Sequence, residues 1–445
     1  MSSWEIYHQI KEPRERLLKA YYQSHAYRTT SQKLYTIKTE KLRKKYFLTV
    51  AQNSPQLFKQ AKTFFSQMTE FANMAHEDSV YSWIVKSDKD KINWQSLFKQ
   101  KQYQNCIENY AIYNREQRLK ELNKQNYQSW DHWYEPHNDL TCRLCTKKLA
   151  TSFTGSVALA KEFYKLMGFS EIVSKIKFVQ DESQTTCALL WFHEGKWQNK
   201  VRISETNLGH KVGTINFIKV IVHEIGHVIQ GCLIENPTED NFLPLSSLVE
   251  VVAIFFEHLF MTSDFLKQII NDSHSYHHFL KKYQDEQKES LARSLHLLEL
   301  EFYLYECLNN KSFKANSIAR HNHDLLCTYY GFENQKLADH SWQKRLNYFS
   351  YYPFKIRNYV VAIVLSHQLF HHYETLLTGP VGQKKNNECL RNLLKICSDK
   401  GKDNTPLEYA KTCGLKKNMT SRFMLKAIME ILSTTKRHQH TCSHG

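Results

Sequence analysis

Glycine and proline are scarce, 13 and 8 among 445 residues, whereas turn-rich all-β folds and disordered chains usually contain more of both. A mostly helical protein is predicted. Long apolar runs are missing as well. No stretch reaches the roughly 18 consecutive apolar residues of a membrane-spanning helix, and the opening MSSWEIYHQIKEPRERLL lacks the apolar core of a secretion signal. The chain is therefore expected to have no membrane span and to be cytoplasmic at synthesis, which is compatible with later export to another cell. The 11 cysteines are odd in number and scattered, a usage that suits buried thiols in a reducing compartment better than a disulfide framework. Acidic residues are outnumbered 44 to 60 by Lys and Arg, a formal charge of +16. The basic residues are spread along the chain, with short runs such as KLRKK at 41–45 and KK at 384–385. They read as solvated helix faces, and nucleic acid is not an expected partner.

What is present is enough apolar material for a sizeable core, 42% of the residues. From Glu12 to about Gln125, apolar residues recur at three- and four-residue spacing, as in LFKQAKTFFSQMTEFANMA, the pattern of long amphipathic helices. The segment YQSWDHWYEPHNDLTCRLC breaks this rhythm and marks a boundary. Beyond it SVALAKEFYKLMG reads as a helix ended by Gly168. CALLWF, a HEGK turn and KVRISET with alternating Val201 and Ile203 read as a β-hairpin. An apolar helix from about Thr214 to Gln230 follows, and the text is again helical from Ser247 to Ser433. The expected division is an N-terminal helical region, 1–135, a catalytic region, 150–435, and a His-rich tail, 436–445, without fixed structure.

The chemistry concentrates at residues 223–227, His-Glu-Ile-Gly-His. On a helix, positions i and i+4 share a face, so both imidazoles can hold one ion. Glu224, one step round, can reach a water on that ion and take its proton as general base. A chance match in a chain of this length has a probability of about 5%, so the setting says more than the motif. Ile218, Val220, Ile221, Val222, Ile225, Val228 and Ile229 make the helix apolar nearly all round. Polar groups inside a buried helix need partners, and a metal would supply them.

Two histidines and a water leave a zinc site one ligand short. The next apolar segment, SSLVEVVAIFFEHLF, carries Glu250 and Glu257 seven residues apart and hence on one helix face. One of them can ligate while the other orients a ligating histidine. The competing reading makes Ser247-x-x-Glu250 a capping box, with Glu257 exposed.

HEIGH followed by VEVVAIFFEHLF resembles the thimet oligopeptidase and oligopeptidase F group of zinc metallopeptidases. The resemblance extends over about 156–433 through YYPFKIRNYVVAIVLSHQLF and TPLEYAKTCGL, the latter a Pro-led helix ending in Gly414. It implies a mainly α, large helical zincin-like fold with a small β-hairpin or sheet beside the zinc helix. It further implies one Zn2+ per chain on His223, His227 and Glu250, with Glu257 behind a ligating histidine. The chain departs from the group's pattern at Gln230, where the group often has another histidine, and at Val252 and Ala253, which replace proline and serine. The group's histidine ahead of the tyrosine segment is also missing from LNYFSYYPF. Tyr348, Tyr351, Tyr352 or Tyr359 can supply a phenol to the oxyanion. Tyr359 falls on the last tyrosine of the group's segment, and Tyr352 and Tyr359 are the expected donors.

Other constellations are thinner. Cys142-x-x-Cys145 has zinc-ribbon spacing without a second such pair, and the tail offers His438, His440, Cys442 and His444. His371 and His372 read as helix-surface residues. The expected function is that of a monomeric zinc endopeptidase or oligopeptidase acting on a peptide or protein substrate aligned along the hairpin edge. The competing readings are a catalytically reduced peptide-binding relative and a basic helical nucleic-acid-binding protein.

Overall fold

The computed structural model describes residues 3–23, 39–88, 92–132, 149–180, 187–193, 196–203, 212–234, 248–333, 336–351, 353–377, 388, 390–395, 410–411, 413–415 and 421–433. The front of the chain forms α1 (Ser3–Gln23), α2 (Glu40–Val50), α3 (Pro55–Met74), α4 (Val80–Asp88), α5 (Trp94–Phe98) and α6 (Lys101–Leu122). Next come α7 (Phe153–Leu166), α8 (Ser170–Ser174) and the strands β1 (Lys177–Gln180), β2 (Cys187–His193) and β3 (Lys196–Ile203). These lead into α9 (Ile215–Cys232), α10 (Val249–Thr262) and α11 (Asp264–Ile270). The remainder is α12 (Ser273–Asn309), α13 (Ala315–Tyr330), α14 (Leu346–Tyr351), α15 (Lys355–Leu377) and α16 (Ser421–Ser433).

The elements follow from local chemistry. In α3, Pro55 stands in the first turn, where a missing N–H costs nothing. Leu57, Ala61, Phe64, Phe65, Met68 and Ala72 form the buried stripe expected from the spacing. At the end of α7, Gly168 adopts φ +86°, the left-handed conformation that closes helices. The expected hairpin is present, β2 running antiparallel to β3 from Cys187↔Arg202 to His193↔Lys196. Val201 and Ile203 are fully buried on either side of partly exposed Arg202. The sheet is larger than a hairpin, however. β1 pairs with β3 in parallel, giving the order β1-β3-β2. Four residues are too short a run for alternation to announce a strand.

The chain forms two compact units whose segments interleave. The first takes Met1–His137, Lys288–Val360 and Thr420–Gly445; the second takes Asn138–Gln287 and Val361–Met419. The break at His137 lies inside the segment that interrupts the helical rhythm, and two further breaks fall within α12 and α15.

In the first unit, Phe47, Ala51 and Trp130 pack together beside a buried ion cluster. Arg43 reaches Asp131 at 2.7 Å with both side chains out of solvent, and Lys124 Nζ adds a second cation at 2.8 Å. Removing one partner of a buried pair strands the other charge, at about 3–5 kcal/mol. Asp131→Ala should lower unfolding stability by about that amount in urea titrations. An unchanged midpoint would show that the cluster contributes nothing.

Candidate metal centre

The metal-type motif lies on α9, in the second unit. Thr214 caps this helix, its hydroxyl accepting from Phe217 N–H at 3.3 Å. Gly213, just before the cap, has φ +83°, and a Cβ there would stand 1.9 Å from the carbonyl oxygen of Ala150. Glycine is thus required where the two backbones cross, with Leu149 N–H donating to Gly213 O at 2.8 Å. Ile215, Phe217, Ile218, Ile221, Val222, Ile225, Val228 and Ile229 are all buried. Tyr164 of α7 donates its hydroxyl to Val222 O at 2.6 Å, pinning α9 one residue before His223.

His223, Gly226, His227 and Gln230 occupy the face of α9 turned to α10. A Cβ on Gly226 would lie 2.9 Å from Ala253 Cα and 3.4 Å from Phe256 Cδ2, so the helices approach more closely than a side chain would permit. On α10 the matching face carries Glu250, Ala253 and Glu257. Gln230 Nε2 donates to Leu248 O at 3.4 Å, tying the end of α9 to the start of α10. Gln230, where the group often has a histidine, is thus a link between helices.

This packing brings together four of the residues singled out in the sequence. Glu250 Oε2 lies 3.3 Å from His223 Nε2 and 3.5 Å from His227 Nε2. The two Nε2 atoms are 3.1 Å apart. The other nitrogen of His223, Nδ1, is 2.6 Å from Glu257 Oε1. A carboxylate only accepts, so Nδ1 donates to Glu257 and Nε2 is left facing Glu250 and His227. Burial opposes charge on His223, but the bonds to Glu250 and Glu257 outweigh it and hold its pKa well above the imidazole range. Burial likewise pushes Glu250 upward, yet His227 and His223 bring it well below the usual carboxylate range. Glu257 is lowered by His223 against its own burial. Two carboxylates kept ionised around two imidazoles create a demand for positive charge.

Among the described residues, His223, His227 and Glu250 are the one group of three such donors with ligand atoms all within 4.8 Å of one another. They could hold a metal ion. Glu250 makes no capping bond among the described residues: α10 begins at Val249 with Leu248 at its N-cap, and Ser247 lies outside those residues. Glu224 is buried on α9, and among the described residues no hydrogen bond or ion pair engages its carboxylate.

No protein-family model matches the chain, and no curated protein matches its sequence. Solved structures do match. A candidate peptidase from Chlamydophila abortus superposes with a TM-score of 0.60 at 17% identity, over 90% of this chain and 66% of that one. PZ peptidase A, solved with inhibitor 2, gives 0.66 at 13% identity, over 91% of this chain and 70% of that one. A candidate oligoendopeptidase F from Bacillus anthracis str. Ames gives 0.63 at 13% identity, over 94% and 73%. The chain shares their fold. The likeness to oligopeptidase F read from the sequence is therefore met at the level of fold, and the chain spans about two thirds of the length of the first of these structures.

Of the tyrosines, Tyr359 is partly buried on α15 in the first unit, its ring 5.6 Å from Lys355 Nζ. Tyr348 and Tyr351 lie on α14. Tyr352, Cys142, Cys145 and the tail histidines fall outside the described residues. His371 and His372 are exposed. Sequence reading passed over Gly226, although a glycine amid an apolar helix costs about 1 kcal/mol and signals a packing reason.

Gly226→Ala should therefore force α9 and α10 apart, lowering stability by about 1–3 kcal/mol and weakening metal retention. Parallel thermal unfolding and metal analysis of the variant test this. Wild-type values in both would mean that the close approach does not control the site.

Proposed function

We propose that the chain is a zinc-dependent peptidase that hydrolyses peptide bonds through a water activated by Glu224. The observation that carries this reading is the triangle of donor atoms, with edges of 3.1, 3.3 and 3.5 Å. Donors 2.0–2.1 Å from a tetrahedral zinc ion are separated by about 3.3–3.4 Å. His223, His227 and Glu250 would hold the ion on three sides, the arrangement of catalytic rather than structural zinc. Bound there, zinc would supply Lewis acidity that brings the pKa of a water towards neutrality.

The chain's own residues do the rest. Glu257 holds the Nδ1 proton of His223 and so presents Nε2 as a lone pair. Glu224 has no protein partner among the described residues to compete for its carboxylate, so it is available to take the proton of the attacking water and pass it to the departing amine. β2 is an outer strand of the sheet, pairing with β3 alone among the described residues, and its free edge suits an extended polypeptide. On sequence grounds alone, Tyr352 or Tyr359 is assigned as donor to the oxyanion. The peptidases among the solved structures that share this fold support a peptide substrate. Among the described residues, no helix is long and apolar enough to cross a membrane.

Two variants separate the roles. Glu257→Gln should bind zinc and turn over peptide about 10–100-fold less well, the usual effect of losing a partner of a metal ligand. Competition with a chelator measures this, and a wild-type result would remove Glu257 from the site. Glu224→Gln should keep stoichiometric zinc and wild-type unfolding while hydrolysis of a mixed peptide library drops by about 10²–10⁴. Undiminished hydrolysis in that variant would disprove the mechanism. A wild-type protein that binds zinc and peptides but cleaves none would point to the peptide-holding relative.

A further inference from the structure

Helix α15 carries a second pair of imidazoles one turn apart, His367 and His371, in the segment 361–419 of the second unit. Their Nε2 atoms are 3.1 Å apart, with ring centroids 4.3 Å apart and planes crossed at 71°. The pair on α9 has the same 3.1 Å separation, centroids 4.8 Å apart and planes at 85°. We infer that His367 and His371 form a second, weaker binding site for a divalent transition-metal ion of the kind imidazole prefers, such as nickel, copper or zinc.

The geometry supports this in three ways. Positions i and i+4 stack on one helix face, so one ion can bridge both nitrogens without rearranging the backbone. His371 is exposed and His367 half-buried, which leaves an approach from solvent and room for water to complete the coordination shell. Behind His367, the His258 ring lies 6.1 Å away, centroid to centroid, its Nδ1 bonded to Tyr283 Oη at 3.0 Å. This fixed ring limits how His367 can turn.

The difference between the pairs sets their order of affinity. His223 is oriented by Glu257 at 2.6 Å and joined by Glu250. His367 Nδ1 is buried without a hydrogen-bond partner. No third His, Cys, Asp or Glu among the described residues completes a three-donor group with this pair. Two donors, with the far nitrogen of His367 unpaired, make an exchangeable site, distinct from the centre proposed for catalysis and independent of that proposal.

Zinc-loaded full-length protein dialysed against increasing nickel tests the inference. Wild type should take up one more nickel ion per chain than His371→Ala. That variant should lose about 10²-fold in affinity for this ion, the effect of removing one arm of a two-armed clamp. Its zinc content, Tm and peptide hydrolysis should match wild type, since His371 is a surface residue. His367→Ala should abolish the same uptake. Glu250→Ala should retain it, so that failure of the first centre and failure of the second remain distinguishable. Equal nickel uptake by wild type and His371→Ala would overturn the inference, as would loss of this uptake in Glu250→Ala.

Discussion

Everything at the candidate centre depends on how closely α9 and α10 approach each other. With no side chain on Gly226, the backbone of Ala253 can come to a distance that even a methyl group would forbid. Because Glu250 and Glu257 stand one turn to either side of Ala253, the same contact delivers one carboxylate to the Nε2 side of the histidines and the other to Nδ1 of His223. An ångström of separation would break both contacts, since hydrogen bonding and metal ligation tolerate only a few tenths. Three further anchors hold the register. Tyr164 bonds to Val222, Gln230 to Leu248, and Gly213 lets the chain enter α9 beneath the Ala150 carbonyl.

The electrostatics of the site run against stability. Partly buried carboxylates and imidazoles pay desolvation, and the buried Glu224 has no partner among the described residues to offset it. A fold selected for stability alone would place apolar side chains at these positions of α9 and α10. Departures of this kind from local consistency are where function is to be sought. Here they coincide with donor atoms spaced for one ion. Ionised carboxylates around His223 raise its affinity for a proton, and by the same Coulombic argument they raise the affinity of the cluster for a cation.

The sequence was most legible where the relevant period is local. The buried stripe of α3, the end of α7 at Gly168, the span of α9 and the pairing of β2 with β3 follow from apolar spacing and turn residues. The same helical period placed His223 with His227 and Glu250 with Glu257 on their respective faces. It left the partner of each face open: Glu250 could as well have begun a helix, and the roles of the two glutamates came from resemblance. β1 is too short a run for alternation to announce it, and His371 reads with His372 as a helix-surface residue until the structure sets its ring against that of His367.

The sequence by itself determined the helical class, the donor types and their angular positions, because a helix advances by a constant angle per residue whatever surrounds it. Only the tertiary structure decided that the two faces meet, that they meet at Gly226 and Ala253, that β1 joins the sheet in parallel and that the compact units draw on interleaved segments. Distances between separate elements arise from long-range packing of many apolar side chains together, and no local period encodes them.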